Sequence, residues 1–125
     1  MITDPLTYSI RGAIYKTHKS LGPGLFESVY ERVLQYELEK AGHSVRRQLE
    51  VPLIYDDLSF DVAFRLDLIV DDAVIIEIKS VECIANVHIL QLSTYLKFTS
   101  KKIGFLVNFN CDYLKDKVSI YRIVH

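Results

Sequence analysis

Glycine and proline are scarce in this chain of 125 residues, at five and three. With half the residues hydrophobic and a quarter charged, the composition excludes a disordered or low-complexity protein. Cysteine is scarcer still. Cys83 and Cys111 form no CxxC and repeat at no zinc-ligand spacing, which excludes a disulfide framework and predicts two reduced thiols in a cytosolic protein. Neither sign of charge is in excess: 15 Lys and Arg against 16 Asp and Glu leave a net charge of −1. No global field therefore draws the protein to nucleic acid or membrane, and any contact with nucleic acid must use a local basic patch. No apolar run approaches membrane-spanning length, and the first residues, MITDPLTYSIRG, lack the basic-then-apolar layout of a signal peptide. Repeats and linkers are missing too. The expectation is one soluble, cytoplasmic domain over residues 1–125, large enough to bury a core without disulfides or structural metal.

What is present divides into two periodicities. Pro5 suits the first turn of a helix capped by Asp4, and Leu6, Ile10, Ala13, Ile14 and Thr17 recur at helical spacing. Gly22-Pro23-Gly24 breaks that helix. A second is predicted from near Leu25 to Ala41-Gly42, with Phe26, Val29, Val33 and Tyr36 as its apolar stripe. From Val45 the period changes to two. One strand puts Val45, Leu49, Val51, Leu53 and Tyr55 on a single face; the next does the same with Phe60, Val62, Phe64, Leu66, Leu68 and Val70. A third strand carries Val74, Ile76 and Ile78 on one face and Ile75, Glu77 and Lys79 on the other. A helix over about 84–99 with Ile89, Leu92 and Leu96 as core positions follows, then strands over 103–109 and 118–124, the last at an edge. The predicted order is α-α-β-β-β-α-β-β, an α/β (α+β) fold with a mixed sheet flanked by helices.

The residues with chemistry to offer lie in FRLDLIVDDAVIIEIKS, residues 64–80. Charge inside strongly apolar strands is costly unless paired or metal-bound, and here Asp67 precedes an acid-x-base triplet, Glu77-Ile78-Lys79. Glu77 and Lys79, two apart on a strand, leave the same face. The two apolar faces align only if the turn at Asp71-Asp72 is a three-residue loop or holds a bulge, and that register sets Asp67 opposite Glu77. Such a cluster fits the centre of a metal-dependent phosphodiesterase, its oxygen-only ligands suiting Mg²⁺ or Mn²⁺. It equally fits a cross-strand ion cluster on a solvated sheet. Glu27 could bring a third carboxylate from the second helix, with Tyr30 and Glu31 nearby on the same side, or serve only the helix dipole. Gln91 and Tyr95, four apart on the third helix, could contact a nucleic-acid backbone or orient the lysine, or be plain boundary residues. His18, His43, His88 and His125 have no metal-ligand spacing; His88, one turn before Gln91, is the strongest of them. Arg46, Arg47, Lys97, Lys101 and Lys102 are candidates for a basic rim or simply for a soluble surface.

Taken together, LGPGLFESVY over residues 21–30, RLDLIV, IIEIKS, QLSTYLK and IGFLVNF resemble the GxxExxY family, with Gly24, Glu27 and Tyr30 in the named positions. That family is assigned to the PD-(D/E)xK nuclease superfamily. The resemblance implies a mixed sheet flanked by helices, with Asp67 and Glu77 as metal ligands, Glu27 as the helical acid of the metal site and Lys79 as the catalytic lysine. Gln91 and Tyr95 resemble the Gln-x-x-x-Tyr motif of RecB-type and Cas4-type exonucleases, although two cysteines cannot supply the iron–sulfur cluster of Cas4-like members. Leu66 stands where the superfamily's name has proline. The function implied is a Mg²⁺- or Mn²⁺-dependent nuclease, acting on DNA rather than RNA and structure-selective or end-processing, since no sequence-reading module is appended. The alternatives are a catalytically silent binding or assembly module and an RNA-directed nuclease. A homodimer through the last, edge strand and a partner protein that supplies specificity are both open.

Overall fold

The computed structural model describes residues 4–125. Helix α1 runs Pro5–Leu21, opened by Asp4, whose side chain accepts from the Leu6 N–H at 3.0 Å. Helix α2 runs Glu27–Lys40. The strands are β1 Val45–Tyr55, β2 Leu58–Val70, β3 Val74–Lys79, β4 Ile103–Asn108 and β5 Ile120–Val124, with helix α3, Asn86–Thr99, joining β3 to β4. They form one sheet in the order β1-β2-β3-β4-β5, antiparallel except for the β3–β4 pair that α3 makes parallel by crossover. The predicted mixed sheet, its flanking helices and the element order are all found, with β5 at an edge.

Two cores sandwich the sheet. Ile10 and Ile14 of α1 and Tyr30, Leu34 and Leu38 of α2 pack on Leu68, Val70, Ile76, Ile78, Phe105 and Val107. On the other side Leu92 and Leu96 of α3 pack on Leu66, Ile69, Ile75 and Leu106. The closest approach is at Gly104, where a Cβ would stand 2.9 Å from Leu92 Cδ1, so a residue without a side chain lets α3 seat on β4.

Two patterns differ from expectation. Helix α2 buries Tyr30, Leu34 and Leu38, not the stripe Phe26, Val29, Val33 and Tyr36; Phe26 is 82 % exposed. Both sets recur at helical spacing, and the buried one is set by where the Tyr30 ring stacks on Phe109, centroids 4.6 Å apart. The faces of β1 and β2 are not continuous either. Leu66 and Leu68 are two apart yet lie in opposite cores, and so do Val45 and Leu49. Register is kept across this point, Arg47 facing Leu68 and Leu49 facing Leu66, but Gln48 between them is left-handed at φ 54° and is not paired with Asp67. One residue in that conformation turns the strand pair over.

Candidate active site

The β2–β3 ladder opens at Val70 facing Val74 around the loop Asp71-Asp72-Ala73, a three-residue loop and so one of the two arrangements that the hydrophobic pattern allows. Asp71 and Asp72 both take φ near 52°, a conformation that aspartate tolerates better than most residues. The ladder continues to Leu68 facing Ile76 and stops. Beyond that pair, two carboxylates replace main-chain carbonyls. The Asp67 N–H donates to Glu77 Oε2 at 2.9 Å, and the Ile78 N–H donates to Asp67 Oδ2 at 2.8 Å. Asp67 and Glu77 therefore stand opposite each other where the strands part. Lys79 follows, half-buried, at the end of β3.

Burial dominates the electrostatics. The Glu77 carboxyl, 6 % exposed, is pushed up to about 8, by desolvation first and then by the charge of Asp67. Asp67 is pushed up to about 6, also by desolvation first, with Glu31 and Glu27 adding to the shift. The Lys79 charge and the amide hydrogen bonds act in the opposite sense on both acids without cancelling it. Two facing carboxyls that resist ionisation define a place where positive charge is wanted.

A family model described as the PD-(D/E)XK nuclease superfamily matches residues 4–123. The chain belongs to that superfamily. No curated protein and no solved structure matches it. PD-(D/E)XK nucleases act on nucleic acid and generally use divalent metal ions. Among the described residues, no three His, Cys, Asp or Glu side chains converge into a ready-made metal cage. The donor set nevertheless fits a hard cation. Asp67 and Glu77 offer oxygen only, their raised pKa values favour a neighbouring positive charge, and Mg²⁺ commonly takes one or two carboxylates and completes its shell with water and substrate phosphate.

The other residues singled out from the sequence of this PD-(D/E)XK protein divide sharply. Glu27 opens α2 and its Oε2 accepts from the Ser80 N–H at 2.9 Å, tying the helix to the exit of β3 one residue after Lys79. Tyr30 is fully buried. Its hydroxyl donates to Gly22 O at 2.5 Å and accepts from the Leu25 N–H at 3.1 Å, so it clasps the glycine-rich turn from inside. Tyr95 is half-buried and stacks on Phe64, centroids 4.3 Å apart; desolvation first, then the charges of Glu77 and Asp67, push its hydroxyl up. Gln91 is exposed and its side chain makes no hydrogen bond among the described residues. His88 accepts at Nδ1 from the Ala85 N–H, which makes it a cap for α3. His18 bonds the Cys111 carbonyl, and His43 lies between Ser9 and Asp71. A basic rim does not assemble: Arg47 pairs with Glu31 and Lys101 with Asp72, and Lys101 and Lys102 precede Ile103, at the opposite end of β4 from Asn108, which faces Lys79.

Two residues that carried no role in the sequence join this centre. Glu31, buried at 6 % exposure, accepts from Gln48 Nε2 at 2.7 Å and from Arg47 at 3.4 Å. The same Gln48 nitrogen lies 3.4 Å from Asp67 Oδ1. The left-handed backbone of Gln48 thus aims one amide between two carboxylates. Gln48 precedes Leu49 in the strand, so simple alternation puts it on the face opposite the apolar set and gives no signal; only Glu31, one turn after Glu27, gave any.

Proposed function

We propose that this chain is a Mg²⁺- or Mn²⁺-dependent nuclease of the GxxExxY family, a single-domain protein that cuts DNA at structures or ends. The observation that supports it is the reciprocal bonding of Asp67 and Glu77 across parted strands with Lys79 beside them. Asp67 and Glu77 would hold the cation, with Glu27 reaching toward it from α2. When bound, the cation supplies Lewis acidity to the scissile phosphate and lowers the pKa of a water.

The chain's own residues do the rest. Lys79 places a fixed positive charge where negative charge develops on the phosphate. The Gln48 amide, held between Glu31 and Asp67, orients Asp67 so that one oxygen bonds the Ile78 N–H and the other faces Gln48. The Glu27 link to Ser80 fixes α2 against the end of β3, so acids and lysine keep one geometry. Tyr95 lies within the field of both acids and, with exposed Gln91 one turn earlier, contacts the substrate backbone.

The experiment is cleavage of end-labelled single-stranded, duplex and branched DNA in Mg²⁺ and Mn²⁺ by wild type, Glu77→Gln and Lys79→Ala. Loss of about 10²–10³-fold in rate for Lys79→Ala, with fold unchanged, is expected for removal of one group that stabilises transition-state charge. Cleavage that survives both substitutions, or is the same without metal, would refute the assignment.

A further inference from the structure

The β3–β4 ladder ends where Lys79 faces Asn108, and a last main-chain bond, from the Phe109 N–H to the Lys79 carbonyl at 3.0 Å, closes it. Past that point the Asn108 side chain takes the place of a strand. Its Oδ1 accepts from the Val81 N–H at 3.1 Å and its Nδ2 donates to the Val81 carbonyl at 2.9 Å, so one amide satisfies both main-chain groups of one residue. Oδ1 also accepts from the Asn110 N–H at 3.2 Å, and these donors fix which end of the amide carries the oxygen. The Asn110 side chain adds a bond from Nδ2 to the same Val81 carbonyl at 3.2 Å. Asn108 is 3 % exposed, and its own N–H donates to the Ser119 carbonyl at 2.7 Å.

Lys79 needs such an anchor. Its ammonium makes no hydrogen bond or ion pair among the described residues, although it lies within the field of Asp67 and Glu77. A lysine stem is long and flexible, so a tip without a partner is placed by the main chain at its root. Here that main chain is held at Lys79, Ser80 and Val81 in turn. Phe109 bonds the Lys79 carbonyl, Glu27 takes the Ser80 N–H from the α2 side, and Asn108 takes both groups of Val81. We propose that Asn108 is the positioning residue of the Lys79 charge, fixing residues 79–81 so that the ammonium stays at the Asp67–Glu77 centre. The side-chain hydrogen bonds of Asn108 all go to main chain, so it acts on the ammonium through the backbone. A residue that merely ended β4 would need no bond to Val81. Its part in cleavage rests on the reading of Lys79 as the catalytic lysine; the anchoring of the ammonium does not.

The test compares Asn108→Ala and Asn108→Asp, which keeps the shape and loses the donor to Val81, with Ser119→Ala. Ser119 is equally buried, and its hydroxyl accepts from the Lys115 N–H at 2.8 Å but bonds nothing in residues 79–81. NMR relaxation at the lysine Cε carbons of the metal-free chain reads Lys79 directly and needs no turnover. Wild-type Lys79 is expected to be ordered, and both Asn108 variants to lower its order parameter toward that of exposed Lys19. Ser119→Ala lowers Tm and leaves Lys79 ordered. A wild-type Lys79 as mobile as Lys19 overturns the proposal. So does order kept in the Asn108 variants, or lost as much in Ser119→Ala. In cleavage of single-stranded DNA, Asn108→Ala should lower kcat by about 10–100-fold at unchanged KM, the scale for a group misplaced by about 1 Å. Combined with Lys79→Ala it should cost nothing more than Lys79→Ala alone, because both remove the same charge from the site. Losses that multiply overturn the proposal. Order lost in the Asn108 variants while wild type itself cleaves nothing supports the anchor and counts against the nuclease reading alone.

Discussion

Glu77→Gln should make the metal-free protein more stable, not less. In the unfolded chain a glutamate ionises at its ordinary value of 4.5, whereas burial opposite Asp67 raises Glu77 to about 8. Between those values the native state binds a proton that the unfolded state has lost, so stability is full below about 4.5 and falls as pH rises through about 8. At neutral pH the interval of about 2.5 pH units between the ordinary value and the solution corresponds to about 3 kcal/mol. A glutamine side chain at this position carries no such penalty, and its amide oxygen can still accept from the Asp67 N–H. With unfolding entropy near 2.1 cal/mol/K per residue, a chain of 125 residues shifts about 4 °C per kcal/mol, so Tm in chelator at pH 7 should rise by about 12 °C. The assay is thermal unfolding by circular dichroism across pH 5–9, with and without Mg²⁺. Wild type should lose stability toward alkaline pH and regain it with Mg²⁺, while the variant keeps only the slope near pH 5–6 that the raised Asp67 carboxyl contributes and is flat from pH 7 to 9. A variant with the same pH slope and no gain in Tm would refute the claim that a buried, facing carboxylate pair strains this fold.

Three further outcomes rest on packing and local hydrogen bonds. Tyr30→Phe removes a buried hydroxyl that makes two hydrogen bonds, and chemical denaturation should show a loss of about 1–3 kcal/mol with the turn at residues 22–25 loosened in hydrogen exchange. Gly104→Ala pushes a methyl group to 2.9 Å from Leu92, and the same assay should show a loss of about 1–3 kcal/mol that Leu92→Ala partly relieves in the double variant. Asp71, held below its ordinary 3.8 by the Ser44 N–H first and then by His43, contributes stability that is present above that value and lost as pH falls through the depressed one. Asp71→Asn should therefore flatten the acid limb of the pH–Tm curve and leave the alkaline limb alone.

The two periodicities were enough to read element order and the facing of Asp67 and Glu77, because an apolar core on both sides of β3 permits only one register of β2. Helix α2 was harder. Two apolar stripes of similar spacing compete on it, and the choice depends on Phe109, 79 residues after Tyr30, to which sequence periodicity is blind. Gln48 was invisible for a different reason. A glutamine in an alternating strand reads as solvated, and no glycine, asparagine or aspartate stands at position 48 to announce a left-handed backbone. With it went the turnover of the strand pair, so one long apolar face was expected where two short ones exist. Glu31 lay one turn from Glu27 and was legible as a neighbour, but its role rests on Gln48 and Arg47 arriving from another element.

The turnover at Gln48 also has a mechanical side. Below it the strand pair is gripped by the α1–α2 core; above it the same pair leans on α3 and then runs free. The ribbon is thus a lever whose fulcrum is the place where Glu31, Gln48 and Asp67 meet. Anything that bends or clamps its outer half must transmit torque to the hinge point before it reaches the rest of the molecule. The amides of Asp67 and Ile78, bonded only to side chains across that point, would be the first in the sheet to report it by faster or slower hydrogen exchange.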